Sequence, residues 1–102
     1  MEFEDAWLEV RACTGGSAID VDGAMLEVLA ISEVMEAAAG AGRQPGIWDY
    51  SRRLGADEIE AVLKALRLTK TAEDYRSVSF SANVAYRGSR YTLTLFAIKR
   101  NQ

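Results

Sequence analysis

The chain has 102 residues, of which 49% are hydrophobic and 26% are charged, and its formal net charge is −3. This length predicts one domain over residues 1–102, and the balance of apolar and charged residues excludes an intrinsically disordered chain. The chain contains no histidine and one cysteine, which excludes a histidine general base, an internal disulfide and a zinc site built from these residues. No catalytic residue, metal site or cofactor is therefore expected.

The same counts predict where the protein resides. A lone cysteine is typical of a reducing compartment, so we expect a cytoplasmic protein. The first residues lack the basic and apolar regions of a signal peptide. Acidic residues interrupt the longest apolar stretch, so no membrane span is expected.

The charges are divided unevenly along the chain. Residues 1–49 have a formal charge of −8, whereas residues 50–102 have a formal charge of +5. Either the two halves pack together and neutralise each other, or one of them selects a partner by charge.

The first half of the chain predicts a strand and then a long helix. Side chains alternate over residues 3–13, with Leu8 and Val10 on one face. After a glycine-containing break, an apolar pattern predicts a helix over residues 22–39. Because this helix is apolar on more than one side, it is expected to lie centrally in the fold or in a subunit contact.

The second half predicts a loop, a helix and a hairpin. Residues 43–55 contain turn signals and form the predicted loop. A helical pattern begins at Asp57, with Glu60 completing a capping pair, and ends at 68–70. Alternation then predicts two strands joined by a type II′ turn at Gly88-Ser89, which places Tyr86 opposite Tyr91.

These elements predict an α+β fold in the order β-α-α-β-β. Two helices are expected to pack on one face of a three-stranded, mainly antiparallel sheet, with the first strand beside a hairpin strand. Two helices cover only one face of such a sheet, so the outer face needs another cover. Either a second copy of the chain or the 43–55 loop supplies it. The apolar side chains expected on this outer face are Phe3, Trp7, Phe96 and Ile98.

Two further groups of residues are candidate sites. Arg87 and Arg90 oppose each other across the predicted turn, where an anionic partner would relieve their repulsion. The second group is aromatic and basic, and it is expected to line a small-ligand pocket. Its members are Trp48, Tyr50, Arg52, Tyr86 and Tyr91.

Three functional hypotheses follow from these patterns. The first is a small non-enzymatic protein-interaction module, such as an adaptor, inhibitor or accessory protein of a phage or mobile element. It would form a homodimer through the outer sheet face or the first helix. The second is a small-ligand-binding domain or small enzyme with a pocket between helices and sheet. The third is nucleic-acid binding through the basic hairpin, which the negative net charge disfavours.

Overall fold

The computed structural model describes residues 3–12, 16–41 and 51–100 and has an α+β architecture. This part of the chain forms a mixed sheet of six strands and three helices. The elements are β1 Phe3–Ala12, β2 Ile19–Asp20, α1 Gly23–Val28, α2 Ser32–Ala41, β3 Ser51–Leu54, α3 Ala56–Ala65, β4 Thr69–Glu73, β5 Ser77–Tyr86 and β6 Ser89–Lys99.

Three long strands form the centre of the sheet. β6 lies between β1 and β5 and is antiparallel to both, which confirms the expected pairing of the first strand with the hairpin. β3 pairs with the other edge of β1. β4 and β2 share the other edge of β5, where β2 is parallel. The expected three-stranded sheet and β-α-α-β-β order are wrong, because β2, β3 and β4 are too short for alternation to reveal them.

One face of the sheet carries the core. Leu8 and Leu95 are fully buried on this face, in the same cluster as Met35 of α2 and Ile59 of α3. The alternation that predicted these inward positions is therefore confirmed for the long strands. We call this the inner face and the opposite one the outer face.

The predicted helix over residues 22–39 is two helices, separated at Ala30. Asp22 caps α1, since its Oδ1 accepts a hydrogen bond of 2.8 Å from the Met25 amide. Ala30 then has a φ of 59°, and the Ile31 amide donates to the Leu26 carbonyl. This is the Schellman arrangement, which usually has glycine in the left-handed position. Alanine gives no such signal, so the sequence predicted one helix.

Replacing Ala30 with glycine should stabilise the fold by roughly 0.5–1 kcal/mol. The left-handed conformation costs an L-residue about that much or more, whereas glycine adopts it freely. Ala37→Gly, in the exposed interior of α2, should instead destabilise the fold by about 1 kcal/mol. Urea denaturation of both variants measures the two effects, and the same sign in both would contradict the described break.

The start and the end of α3 also differ from the sequence prediction. Gly55 is the N-cap, and its amide donates to Glu58 Oε1 at 2.9 Å, so the capping pair predicted at Asp57 and Glu60 is wrong. The helix ends at Ala65, and Arg67 takes a φ of 52°. This left-handed residue turns the chain directly into β4, which occupies the positions expected to complete the helix.

The hairpin turn lies one residue earlier than predicted. Arg87 and Gly88 have φ values of 51° and 78°, a type I′ arrangement, and Tyr86 therefore pairs with Ser89. The pairing register shifts by two residues, so Val84 rather than Tyr86 lies opposite Tyr91. A shift of two preserves which side chains point inward.

Candidate functional site

The outer face presents two aromatic side chains side by side at its centre. Trp7 of β1 lies directly opposite Phe96 of β6, and each side chain is 39% exposed. Ile98 lies two residues along β6 on the same face and is half-buried. None of the described helices covers these three residues, because the helices pack with the inner-face core. We call Trp7, Phe96 and Ile98 the aromatic patch.

An ion pair borders the patch on the β3 side. Arg53 lies opposite Trp7, and its Nε and Nη2 each donate to the Asp5 carboxylate at 2.8 Å. The Arg53 guanidinium also lies 6.0 Å from the centre of the Trp7 ring. These hydrogen bonds from Arg53 hold the pKa of Asp5 below its ordinary value. Trp7 therefore has the ion pair on its β3 side and Phe96 on its β6 side.

Hydroxyl and amide groups line the face beyond the patch. Ser81 and Thr94 share a hydrogen bond of 3.3 Å across β5 and β6, and the Thr92 hydroxyl donates to Asn83 Oδ1 at 2.9 Å. Glu9 of β1 pairs with Thr94 of β6 and is half-buried. This burial raises the pKa of Glu9, and the positive charge of Arg11 partly opposes the rise. The surface is therefore polar over most of β5 and β6, with Arg90 at the hairpin end of β6 and the other charges along β1 and β3.

Phe3 does not lie on the outer face, contrary to the sequence prediction. A bulge at Glu4 shifts the pairing of β1 with β6, so that Phe3 pairs with Lys99 and Asp5 with Ile98. The extra residue turns Phe3 onto the inner face, where its ring packs edge-on against the ring of Phe80, with the two ring centres 6.3 Å apart. Sequence alternation carries no signal for a bulge of this kind.

The structure separates the residues predicted to line a pocket. Trp48 and Tyr50 lie outside the described residues. Arg52 lies opposite Leu8 on the edge strand β3, where it forms an ion pair of 2.8 Å with Glu58. The hydrogen bond from Arg52 lowers the pKa of the Glu58 carboxyl.

The two tyrosines of that prediction lie at the hairpin end instead. Tyr91 and Tyr86 are buried on the inner face. The Tyr86 hydroxyl donates a short hydrogen bond to Glu36 Oε1, which raises the pKa of the tyrosine. The contact joins β5 to α2, so its evident role is to hold the helix on the sheet.

Arg87 and Arg90, the predicted anion contact, do not oppose each other. Arg87 lies in the turn and donates to Glu36 Oε2 at 3.0 Å, whereas Arg90 lies opposite Ala85. Arg90 donates to the Gly16 carbonyl at 2.8 Å. Each guanidinium thus has an acceptor within the fold, and the two arginines do not form the cross-strand pair on which the predicted anion contact depended.

A second charged cluster lies at the opposite end of the sheet. Glu73 of β4 accepts from Lys70 at one carboxylate oxygen and from Lys99 at the other, each at 2.7 Å. These two bonds lower the pKa of Glu73 from its ordinary value of 4.5 to about 2. The cluster joins the edge strand β4 to β6 across β5.

Glu73 should make the fold more stable above pH 4.5 than at pH 2. A carboxyl whose pKa falls on folding stabilises the native state above its unfolded pKa, and this contribution disappears as the pH falls from 4.5 towards 2. Glu73→Gln should therefore lose less unfolding free energy over that window than the wild type. Urea denaturation at both pH values measures it, with Glu60→Gln on α3 as the control. An equal loss of unfolding free energy between pH 4.5 and pH 2 in the wild type and in Glu73→Gln would contradict the two described hydrogen bonds.

The comparisons with known proteins give no relative. No family model, curated protein or solved structure matches this chain. Among the described residues no group of histidine, cysteine, aspartate and glutamate side chains could hold a metal ion. None of the helices over 23–41 and 56–65 is long and apolar enough to cross a membrane.

Proposed function

We propose that the chain is a non-enzymatic protein-interaction module that pairs with a second copy of itself through the outer sheet face. The aromatic patch is the observation that carries this proposal. Tryptophan and phenylalanine are enriched at protein interfaces, and here they lie adjacent at the centre of a face that no described helix covers. Two sheets of this kind pack face to face about 10 Å apart, with their helices outside.

The size of the face suits a stable dimer. The long strands have ten or eleven residues, and the usual strand rise and spacing give these three strands about 500 Å² of projected area. The edge strands and the relief of the side chains add to this area. Stable complexes bury about 800 Å² on each partner, so the outer face alone is of the required order.

The charges of the face favour a second copy over a nucleic acid. On this face the regularly paired residues of β1 and β3 include two acidic and two basic side chains, so these four have no net charge. In a two-fold pairing the basic groups of one copy can meet the acidic groups of the other. A nucleic acid would stack on the same aromatic rings but needs an excess of cations, and the chain has a net charge of −3. The four charged residues are Asp5, Glu9, Arg11 and Arg53.

Two segments of the chain are the alternatives to pairing through the outer face: the 43–55 loop as its cover and the first helix as the subunit contact. The alternative cover from the 43–55 loop lies outside the described residues, apart from residues 51–55, where β3 lies and α3 is capped. The evidence for a contact through the first helix is Val28, an apolar side chain that is 84% exposed on α1.

We also propose a cytoplasmic location, which is supported by the lone cysteine.

Light scattering over a range of protein concentrations tests the proposal. We expect a mass approaching twice the 11.2 kDa of one chain, with or without an added thymidine oligonucleotide. A mass of 11.2 kDa at all concentrations would overturn pairing with a second copy. A monomer that binds the oligonucleotide, with affinity falling steeply as salt is raised, would assign the aromatic patch to a single-stranded nucleic acid instead.

A further inference from the structure

A cleft opens on the inner face at the end of the sheet that carries the Glu73 cluster. Its volume is about 470 Å³, within the range of roughly 300–1,000 Å³ that small-molecule sites occupy. The apolar part of its lining comes from two strands, β1 and β5, and the charged part comes from β4 and the end of β6. The lining residues are Phe3, Lys70, Glu73, Val78, Phe80, Lys99 and Arg100.

Two strand irregularities create this cleft. The bulge at Glu4 turns Phe3 inward, as described above. A second irregularity at Thr71 adds a residue to β4, so that Lys70 and Glu73 both lie opposite inward-facing residues of β5. In a regular strand two residues three apart point to opposite faces. Both register shifts of the described sheet thus direct side chains into one place, and bulges commonly occur beside binding sites.

The rim of the cleft has an excess of positive charge. Lys70 and Lys99 share the single carboxylate of Glu73, at 2.7 Å each, and Arg100 is exposed beside them. Among the residues that line the cleft, three cations therefore face one anion. An additional acidic group at the rim would meet unbalanced positive charge and flexible ammonium and guanidinium donors.

The floor beneath this rim is apolar. Phe3 and Phe80 pack edge to face. Val78, two residues before Phe80 on β5, is buried beside them in the lining. Phe80 is only partly buried, so its ring offers apolar surface to the cleft. A ligand that matches both parts has an anionic head and an apolar body.

We propose that this cleft binds an amphiphilic carboxylate, with its head among Lys70, Lys99 and Arg100 and its alkyl body along Phe80. The inference does not depend on pairing through the outer face, because the cleft opens on the opposite face. Octanoate is a suitable probe, since it carries one carboxylate on a flexible apolar chain. Acetate supplies the head without the body, and 1-octanol supplies the body without the head.

Chemical-shift titration of the isotope-labelled protein measures the binding. Octanoate should shift the amide resonances of Phe3, Val78 and Phe80. Acetate should bind at least about tenfold more weakly, because each fully buried methylene contributes a factor of about four. 1-Octanol should also bind more weakly, because it lacks the charge. Shifts confined to other parts of the protein, or equal binding of octanoate and either control compound, would overturn the proposal.

Charge variants give the second arm of the test. Arg100→Gln and Lys70→Gln should each weaken octanoate binding by about two- to fivefold, the range of an exposed ion pair. Lys64→Gln, which removes an exposed lysine of α3 away from the cleft, should leave the affinity unchanged. A dispersed amide spectrum verifies that each variant is folded. Wild-type affinity in both cleft variants would overturn the assignment of the head to this rim.

Discussion

Truncating Leu95 to alanine should lower the free energy of unfolding by about 3 kcal/mol. Leu95 is fully buried at the centre of β6, between Leu8 of β1 and Phe80 of β5. Removing a leucine side chain from such a position loses its apolar burial and leaves a cavity that the neighbouring strands fill only in part. This is the largest stability effect that we expect from a single truncation on the central strand.

The neighbouring residue on β6 provides a matched control. Thr94 points to the outer face, where its hydroxyl shares a bond of 3.3 Å with Ser81, so Thr94→Ala should cost about 1 kcal/mol or less. Both variants are best measured by urea denaturation in a Phe96→Asp background, because self-association would otherwise add to the apparent stability. Equal costs at the two positions would contradict the assignment of inner and outer faces.

Replacing Phe96 with aspartate should weaken self-association by at least about 100-fold. In the proposed dimer this substitution places an unpaired charge in each copy of the aromatic patch. Leaving a buried charge without a partner costs about 3 kcal/mol or more, which corresponds to that factor. Phe96 is 39% exposed within one chain, so the monomer itself should remain folded. Sedimentation equilibrium measures the change in the dissociation constant.

Val28→Asp is the matched control for this variant. Val28 is 84% exposed on α1 and represents docking through the first helix. If the outer face forms the contact, Val28→Asp dimerises like the wild type while Phe96→Asp is monomeric. The reverse pattern would transfer the contact from the sheet to the helix.

Alternation was a reliable guide to the long strands. It placed Leu8 and Val10 of β1 and Leu93 and Leu95 of β6 on the inner face, where all four are buried. Even the error in the hairpin register left these assignments intact, because a shift of two residues preserves the face of every side chain. Trp7, Phe96 and Ile98 were therefore predicted on the correct face.

Local irregularities account for two of the sequence predictions that were wrong. The bulge at Glu4 moved Phe3 from the outer face to the inner one, and the left-handed Ala30 divided one predicted helix into two. Neither position has the glycine that normally indicates such a departure. In both cases the burial of neighbouring side chains, which depends on the whole fold, stabilises a backbone that the local sequence does not signal.

The charged cluster of the cleft was missed for a related reason. Lys70 and Glu73 lie three apart in a segment expected to finish a helix, and their shared inward direction requires both a strand and its irregularity at Thr71. Lys99 joins them only through the order of the strands. No pattern within one element could have indicated that these residues meet.

Nuclear Overhauser effects between copies test the central claim most directly. A sample mixed from isotope-labelled and unlabelled protein reports only the contacts that cross the interface. We predict contacts from the Ile98 methyl groups of one copy to the Trp7 and Phe96 rings of the other. Contacts between copies that involve Val28 but none of the aromatic patch, or no contacts at all, would contradict pairing through the outer face.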